Sequence, residues 1–229
     1  ETRFSLADYA RYYWAEAAHE AGRFSQASEA LGGFTSQFPT STLRWAAVEL
    51  LAKSLLQAGQ PDRALQSLLG EAQVRRRPEL SVLLAQAYRD GGNPEEAVRI
   101  FQEVYYAYPL SSQAATAREA MAQLRTELGA RFLEPPEEIR TARADILAGN
   151  SRSQEALDEY TSLLESRQAS QLASRWRIGR ARCLIRLRQT GPAIELLTTG
   201  ISATPEVDPE RLGLLVEAYF RNSDPAAAE

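Results

Sequence analysis

The chain has 229 residues, 44% hydrophobic and 24% charged, which is enough apolar content for a folded core. A net charge of -4 excludes a global bias toward nucleic acid. The single cysteine, Cys183, excludes an internal disulfide, a CxxC redox pair and a thiolate zinc cluster. Along the chain, the first helical stretch turns at Gly22 into "GRFSQASEALGGFTSQFP", a short polar run followed by a second helical stretch. The same pattern returns in "GQPDRALQSLLGEA" and, most fully, in "GNPEEAVRIFQEVYYAYP".

In this third copy Leu84, Ala85 and Tyr88 sit at helical spacing on a first helix. Gly92 makes the turn, because positive φ is easy for glycine. Pro94 begins the second helix, where its missing N–H does no harm. Ala97 and Phe101 face the first helix, and Pro109 ends the unit. Tyr105 and Tyr108 follow Phe101 on one apolar face and read as packing residues. Tyr106 points elsewhere and is a candidate contact for a partner.

An extra helix is expected over about residues 112–128, with Ala114, Ala117, Met121 and Leu124 on one side. Pro135 and Pro136 then break the chain, and Glu137 and Glu138 suit the first turn of the next helix. Further copies follow in "GNSRSQEALDEYTSLLE", "TGPAIELLTTGISATP" and "LLVEAYFRNSDPAAAE". The alanines that open the second helices are Ala27, Ala64, Ala97, Ala156, Ala193 and Ala228, spaced 37, 33, 59, 37 and 35 residues apart. Two helices and a turn at a period of about 34 residues is the tetratricopeptide spacing. The expected fold is all-α: a right-handed α-solenoid of tetratricopeptide-like helix pairs forming a curved superhelix. Two lobes are expected, residues 1–128 with three repeats plus the spacer helix, and residues 129–229 with repeats four, five and a truncated sixth. The chain opens without methionine and its last repeat stops inside a second helix, so a processed chain that continues past Glu229 is expected. No apolar run approaches the roughly 18 residues of a membrane helix, and membrane insertion is not expected.

Catalytic signals are sparse. His19 is the sole histidine, so a two-His metal site is impossible and a triad would rest on it alone. "LGG" and "GGN" lack the Lys-Ser/Thr of a phosphate loop. Adjacent carboxylates such as Glu95–Glu96 open helices, where they complement the dipole. No cofactor, metal or catalytic residue is expected. One cluster is distinctive: between Ser166 and Ile194 lie seven arginines and no acid. Arg175, Arg182 and Arg186, spaced by seven and four, share one helix side and take groove-facing positions of the repeat. Arginine forks grip carboxylates and phosphates in pairs, so these three form a candidate anionic docking site. The competing reading is a solvated face that pairs with Glu155, Asp158 and Glu159 on the preceding helix. Trp176 alone is too few aromatics for a nucleic-acid stacking platform.

"FQEVYYAYPLSSQAATAREAMAQL" resembles the end of a repeat in the superhelical N-terminal domain of bacterial soluble lytic murein transglycosylases. "RTARADILAGNSRSQEALDEYTSLLE" and "WRIGRARCLIRLRQTGPAIELL" resemble the following two units, and the likeness runs over about residues 5 to 229. The resemblance implies an exported, periplasmic or cell-envelope protein, with the superhelix supporting a separate lysozyme-like domain that cleaves peptidoglycan through one glutamate. That domain carries Glu-Ser and Gly-Leu-Met-Gln segments. Glu165–Ser166 matches the first, but "RQASQLASRWRIG" follows, so no catalytic residue carries over and this chain is expected to be inert. Two functions remain open. One is a non-catalytic scaffold of a lytic transglycosylase, partnered by a downstream catalytic domain and peptidoglycan. The other is a free-standing adaptor, cytoplasmic if the family resemblance fails, that binds a peptide or acidic protein segment in its groove.

Overall fold

A computed structural model describes residues 6–166, 170–199 and 208–223, and among these every regular element is helical. The chain divides into two compact units, Glu1–Leu133 and Glu134–Glu229.

The N-terminal unit holds three helix hairpins. α1 (Ala7–Glu20) pairs with α2 (Phe24–Leu31), followed by the single turn α3 (Phe34–Gln37). α4 (Arg44–Gln57) pairs with α5 (Pro61–Leu69), and α6 (Pro78–Asp90) with α7 (Pro94–Ala107). The extra helix is α8 (Gln113–Leu128). In the C-terminal unit α9 (Glu137–Gly149) pairs with α10 (Ser153–Ser166), and α11 (Ala173–Arg186) with α12 (Thr190–Thr198). α13 (Asp208–Ser223) packs against both α11 and α12. Within each unit, the second helix of a hairpin also packs on the first helix of the next, so the hairpins stack as in a solenoid.

Small residues make this stacking possible. Ala27, Ala64, Ala97, Ala156 and Ala193 are each fully buried near the start of a second helix, where any larger side chain would push the pair apart. Ala228 lies outside the described residues. Phe101 is fully buried as the large residue of α7, and such burial contributes about 1.5–3 kcal/mol. Tyr105 packs at the edge of the same cluster. The helix ends at Ala107, one turn after Val104, and Pro109 is buried just beyond it.

α8 occupies the place a fourth first helix would take, against α6 and α7. Its buried side is Ala114, Ala117, Ala120, Met121, Leu124 and Leu128. Its other side, with Arg118, Glu119, Gln123 and Glu127, is exposed. An amphipathic helix of this kind closes a repeat stack with a polar surface.

The turns of the C-terminal unit depart from the glycine pattern. Five residues before each repeat alanine, the backbone enters the left-handed region: Gly22, Gly59 and Gly92 there have φ of 73°, 69° and 81°. The equivalent residues of the next two hairpins are Ser151 and Arg188, both at φ 61°. Gly149 and Gly191, the glycines that the sequence pattern offers for these turns, lie inside α9 and α12. The turn itself is held by backbone bonds. Arg23 N donates to Ala18 O at 2.8 Å, and Gln189 N donates to Leu184 O at 2.9 Å, the closing bond of a Schellman motif. Because that bond is made by the backbone, it survives the loss of glycine at a modest steric cost.

Candidate partner-binding site

Within a hairpin, the first helix turns one face to its partner and leaves another open. Counting back 18, 15, 11, 8 and 7 residues from each repeat alanine picks out this open face. In α1 it carries Tyr9, Tyr12, Glu16, His19 and Glu20; in α4 it carries Ala46, Glu49, Lys53, Leu56 and Gln57. In α6 it starts with Glu79, Val82 and Gln86. These faces lie side by side, because α1 contacts α4, α4 contacts α6, and α6 contacts α8.

Together they enclose a cleft of about 600 Å³ in the N-terminal unit. Leu56, Val82 and Leu83 supply its apolar surface, and Gln57, Gln86 and Gln113 place amides beside it. Glu20, Glu49 and Glu79 bring carboxylates, and Lys53 an ammonium. Lys53 Nζ sits 2.6 Å from Glu49 Oε1 on the same helix face. Glu79 has Arg77 at 3.6 Å. Tyr12 donates its hydroxyl to Glu16 Oε1 at 3.0 Å. Its pKa is pushed up to about 12, first by burial, then by that hydrogen bond and the negative charges of Glu16 and Glu49. His19 ties α1 to α4, since its Nδ1 is 2.9 Å from Ser54 Oγ and its ring stands edge-on to Phe24 at 5.1 Å. The Ser54 hydroxyl donates to Leu50 O at 2.7 Å, so its oxygen accepts from His19, and the histidine proton is assigned to Nδ1.

The arginines singled out in the sequence occupy the corresponding face of α11. Arg175, Arg182 and Arg186 stand 18, 11 and 7 residues before Ala193, and each reaches a neighbouring first helix. Arg175 Nη2 is 2.5 Å from Asp145 Oδ2 on α9. Arg182 pairs with Glu210 on α13, and Arg186 donates to the Ala148 carbonyl at the end of α9. Their partners are therefore on the flanking first helices, which corrects the expected pairing with Glu155, Asp158 and Glu159. Glu159 instead takes Arg143 at 2.7 Å, Glu155 takes Arg152, and Asp158 accepts from Gln154. Arg167 lies outside the described residues.

Tyr106 belongs to α7, a second helix, and so is not on the first-helix face. It is half-buried, edge-on to Tyr105 at 4.8 Å. Trp176 is fully buried and donates Nε1–H to Thr141 Oγ1 at 2.7 Å, so its ring is not offered to a base. Cys183 is buried too; burial pushes its thiol pKa up against the opposing pull of Arg186 and Arg182. Ser166 closes α10 by donating to Leu163 O, an ordinary helix-end bond. Among the described residues no three His, Cys, Asp or Glu side chains converge to hold a metal ion. None of the described helices is long and apolar enough to cross a membrane.

The N-terminal cleft escapes a reading for motifs because its residues are chemically ordinary and come from five helices. The signal lies in the repeat itself: the same counting that marks Arg175 and Arg182 on α11 marks Glu49 and Lys53 on α4.

Family models of the tetratricopeptide repeat match residues 9–41 and 49–112. Both stretches lie in the N-terminal unit. A search of curated proteins finds no match. Similar solved structures include the TPR2AB-domain:pHSP90 complex of yeast Sti1, at 15% identity over 96% of this chain and 86% of that one, with a TM-score of 0.43. Another is a tetratricopeptide repeat protein from Parabacteroides merdae, at 16% identity over 95% and 89% of the two chains, with a TM-score of 0.39.

Proposed function

We propose that this chain is a non-catalytic tetratricopeptide scaffold that holds an extended protein segment along the first-helix face of its N-terminal unit. The observation that carries this reading is the cleft of about 600 Å³ lined by α1, α4, α6 and α8, with Phe24 of α2. An extended segment exposes unpaired backbone N–H and C=O groups, and a glutamine amide supplies both a donor and an acceptor to meet them. Apolar surface at Leu56, Val82 and Leu83 takes side chains that the segment turns inward. The arginine face of α11 is the weaker site. An acidic segment there would have to displace Asp145 and Glu210 from Arg175 and Arg182 before gaining anything.

Gln86→Trp tests the reading, since the indole would fill the cleft from a half-buried position. On an array of random 12-residue peptides, the wild type should retain a binding subset that the variant loses, while its circular dichroism is unchanged. Retention of the whole subset by the variant would sink the proposal. A reversed pair, Arg182→Glu with Arg186→Glu, should leave the same subset bound.

A second reading places the scaffold in a cell-envelope lytic transglycosylase. It rests on the resemblance of residues 101–124, 140–165 and 176–197, including a helix that follows the Tyr-Pro segment, which is where α8 stands. It expects the chain to sediment with purified peptidoglycan sacculi. A chain that stays in the supernatant counts against it.

A further inference from the structure

The charges on the two first-helix faces set the N-terminal one apart. On α9, α11 and α13 Arg175 meets Asp145, Arg182 meets Glu210 and Arg221 meets Glu217, while Arg186 takes a backbone carbonyl. On α1, α4 and α6 the acids outnumber their partners. Glu49 has Lys53, and Glu79 has Arg77 at the longer distance of 3.6 Å. Glu16 has the neutral Tyr12 hydroxyl at its Oε1, and Glu20 makes no ion pair among the described residues.

From this we infer that the segment held in the N-terminal cleft is cationic, with lysine or arginine side chains set along an extended backbone. The inference rests on the groove reading and adds the chemistry of the partner. Three features act together. The cleft walls exclude part of the solvent, so a charge inside is screened less than one on an open helix face. The cleft lining sets three carboxylates on three helices, Glu20 on α1, Glu49 on α4 and Glu79 on α6, against the one ammonium of Lys53. A strand rises about 3.3 Å per residue, and helices packed side by side stand about 8–10 Å apart, so cations two to three residues apart would reach successive helices. Lys53, paired with Glu49 four residues earlier, offsets one of the three carboxylates and leaves the lining with a negative excess. Carboxylates attract without demanding one geometry, so lysine and arginine would both serve.

The test uses three fluorescein-labelled 12-residue peptides, (Ala-Lys)6, (Ala-Gln)6 and (Ala-Glu)6, followed by anisotropy with the whole chain. The lysine peptide should bind at least roughly tenfold more tightly than the other two, and lose most of that advantage when salt is raised until the Debye length falls to about 3 Å. Glu49→Gln with Glu79→Gln should weaken it roughly tenfold, which is about 1.4 kcal/mol. Glu29→Gln, on α2 away from the cleft, should not. Equal binding of all three peptides overturns the cationic inference while leaving the groove reading in place. Equal loss from Glu29→Gln overturns it as well, because attraction would then be to the chain's net charge. Absence of binding by any peptide overturns it too, and the groove reading is then judged on the Gln86→Trp array alone.

Discussion

The two units solve one packing problem with different materials. The N-terminal unit closes its hairpins with glycine turns and a mostly apolar core built around Phe101, Phe34 and a row of leucines. The C-terminal unit uses Ser151 and Arg188 at the turns and carries polar groups inside. Arg143, 5% exposed, pairs there with Glu159 between α9 and α10. Tyr160, buried on α10, donates to Asp145 Oδ1 at 2.5 Å, and the other oxygen of that carboxylate holds Arg175. Burial, with the hydrogen bond and charge of Asp145, drives the Tyr160 hydroxyl far above its ordinary pKa, so it stays a donor. An apolar core tolerates small changes of shape, whereas a polar one penalises the loss of a single partner. Substitutions should therefore damage the C-terminal unit more sharply than the N-terminal one.

The largest effect should come from Arg143→Ala, which removes the buried guanidinium 2.7 Å from Glu159 in the hairpin interior. A loss of about 3–5 kcal/mol is expected in urea unfolding. Replacing both partners, Arg143→Met with Glu159→Leu, should restore most of it; a double variant no better than the single one would mean that the pair is not what matters. Gly179→Ala comes next. A Cβ there would fall within 3.0 Å of three atoms of the Tyr160 ring, so the ring must leave Asp145 or the helices must part. Overpacking of this kind costs about 1–3 kcal/mol. An unchanged midpoint would show that α10 and α11 have slack the packing does not reveal.

Smaller effects sharpen the comparison of turns. Ser151→Gly and Arg188→Gly should each stabilise by about 0.5–1 kcal/mol, because the strain of a left-handed non-glycine residue exceeds glycine's added entropy in the unfolded chain. Gly92→Ser should cost the N-terminal unit a similar amount; if the three changes moved the melting temperature in one direction, the equivalence of these turns would be broken. The least change is expected in alkali. Tyr12 is held neutral in the fold, with its pKa up to about 12, so the associated stability is full below pH 10 and drains away as pH rises through 12. Tyr12→Phe should flatten that slope.

Much of the architecture is legible in local sequence patterns. The repeat alanines and the core role of Phe101 follow from short-range spacing, since a buried crossing point accepts only a small side chain. The turn residues Ser151 and Arg188 are not legible in this way, because nearby Gly149 and Gly191 offer a stronger local signal than either true turn residue. Of the candidate contacts, Arg175, Arg182 and Arg186 sit on the open face by counting alone, while Tyr106 does not, since the face belongs to first helices and Tyr106 rides on a second.

What the amino-acid order settled by itself is the all-helical repeat: its helices and crossing residues follow from neighbours within about a turn of helix, and its period from the recurrence of that local pattern along the chain. Tertiary structure alone decided who pairs with whom. Whether Arg182 meets Glu210 or Asp158, and whether Glu20 and Glu79 share a cleft with Gln113, depends on which helices lie adjacent, over separations of tens of residues that no local pattern encodes.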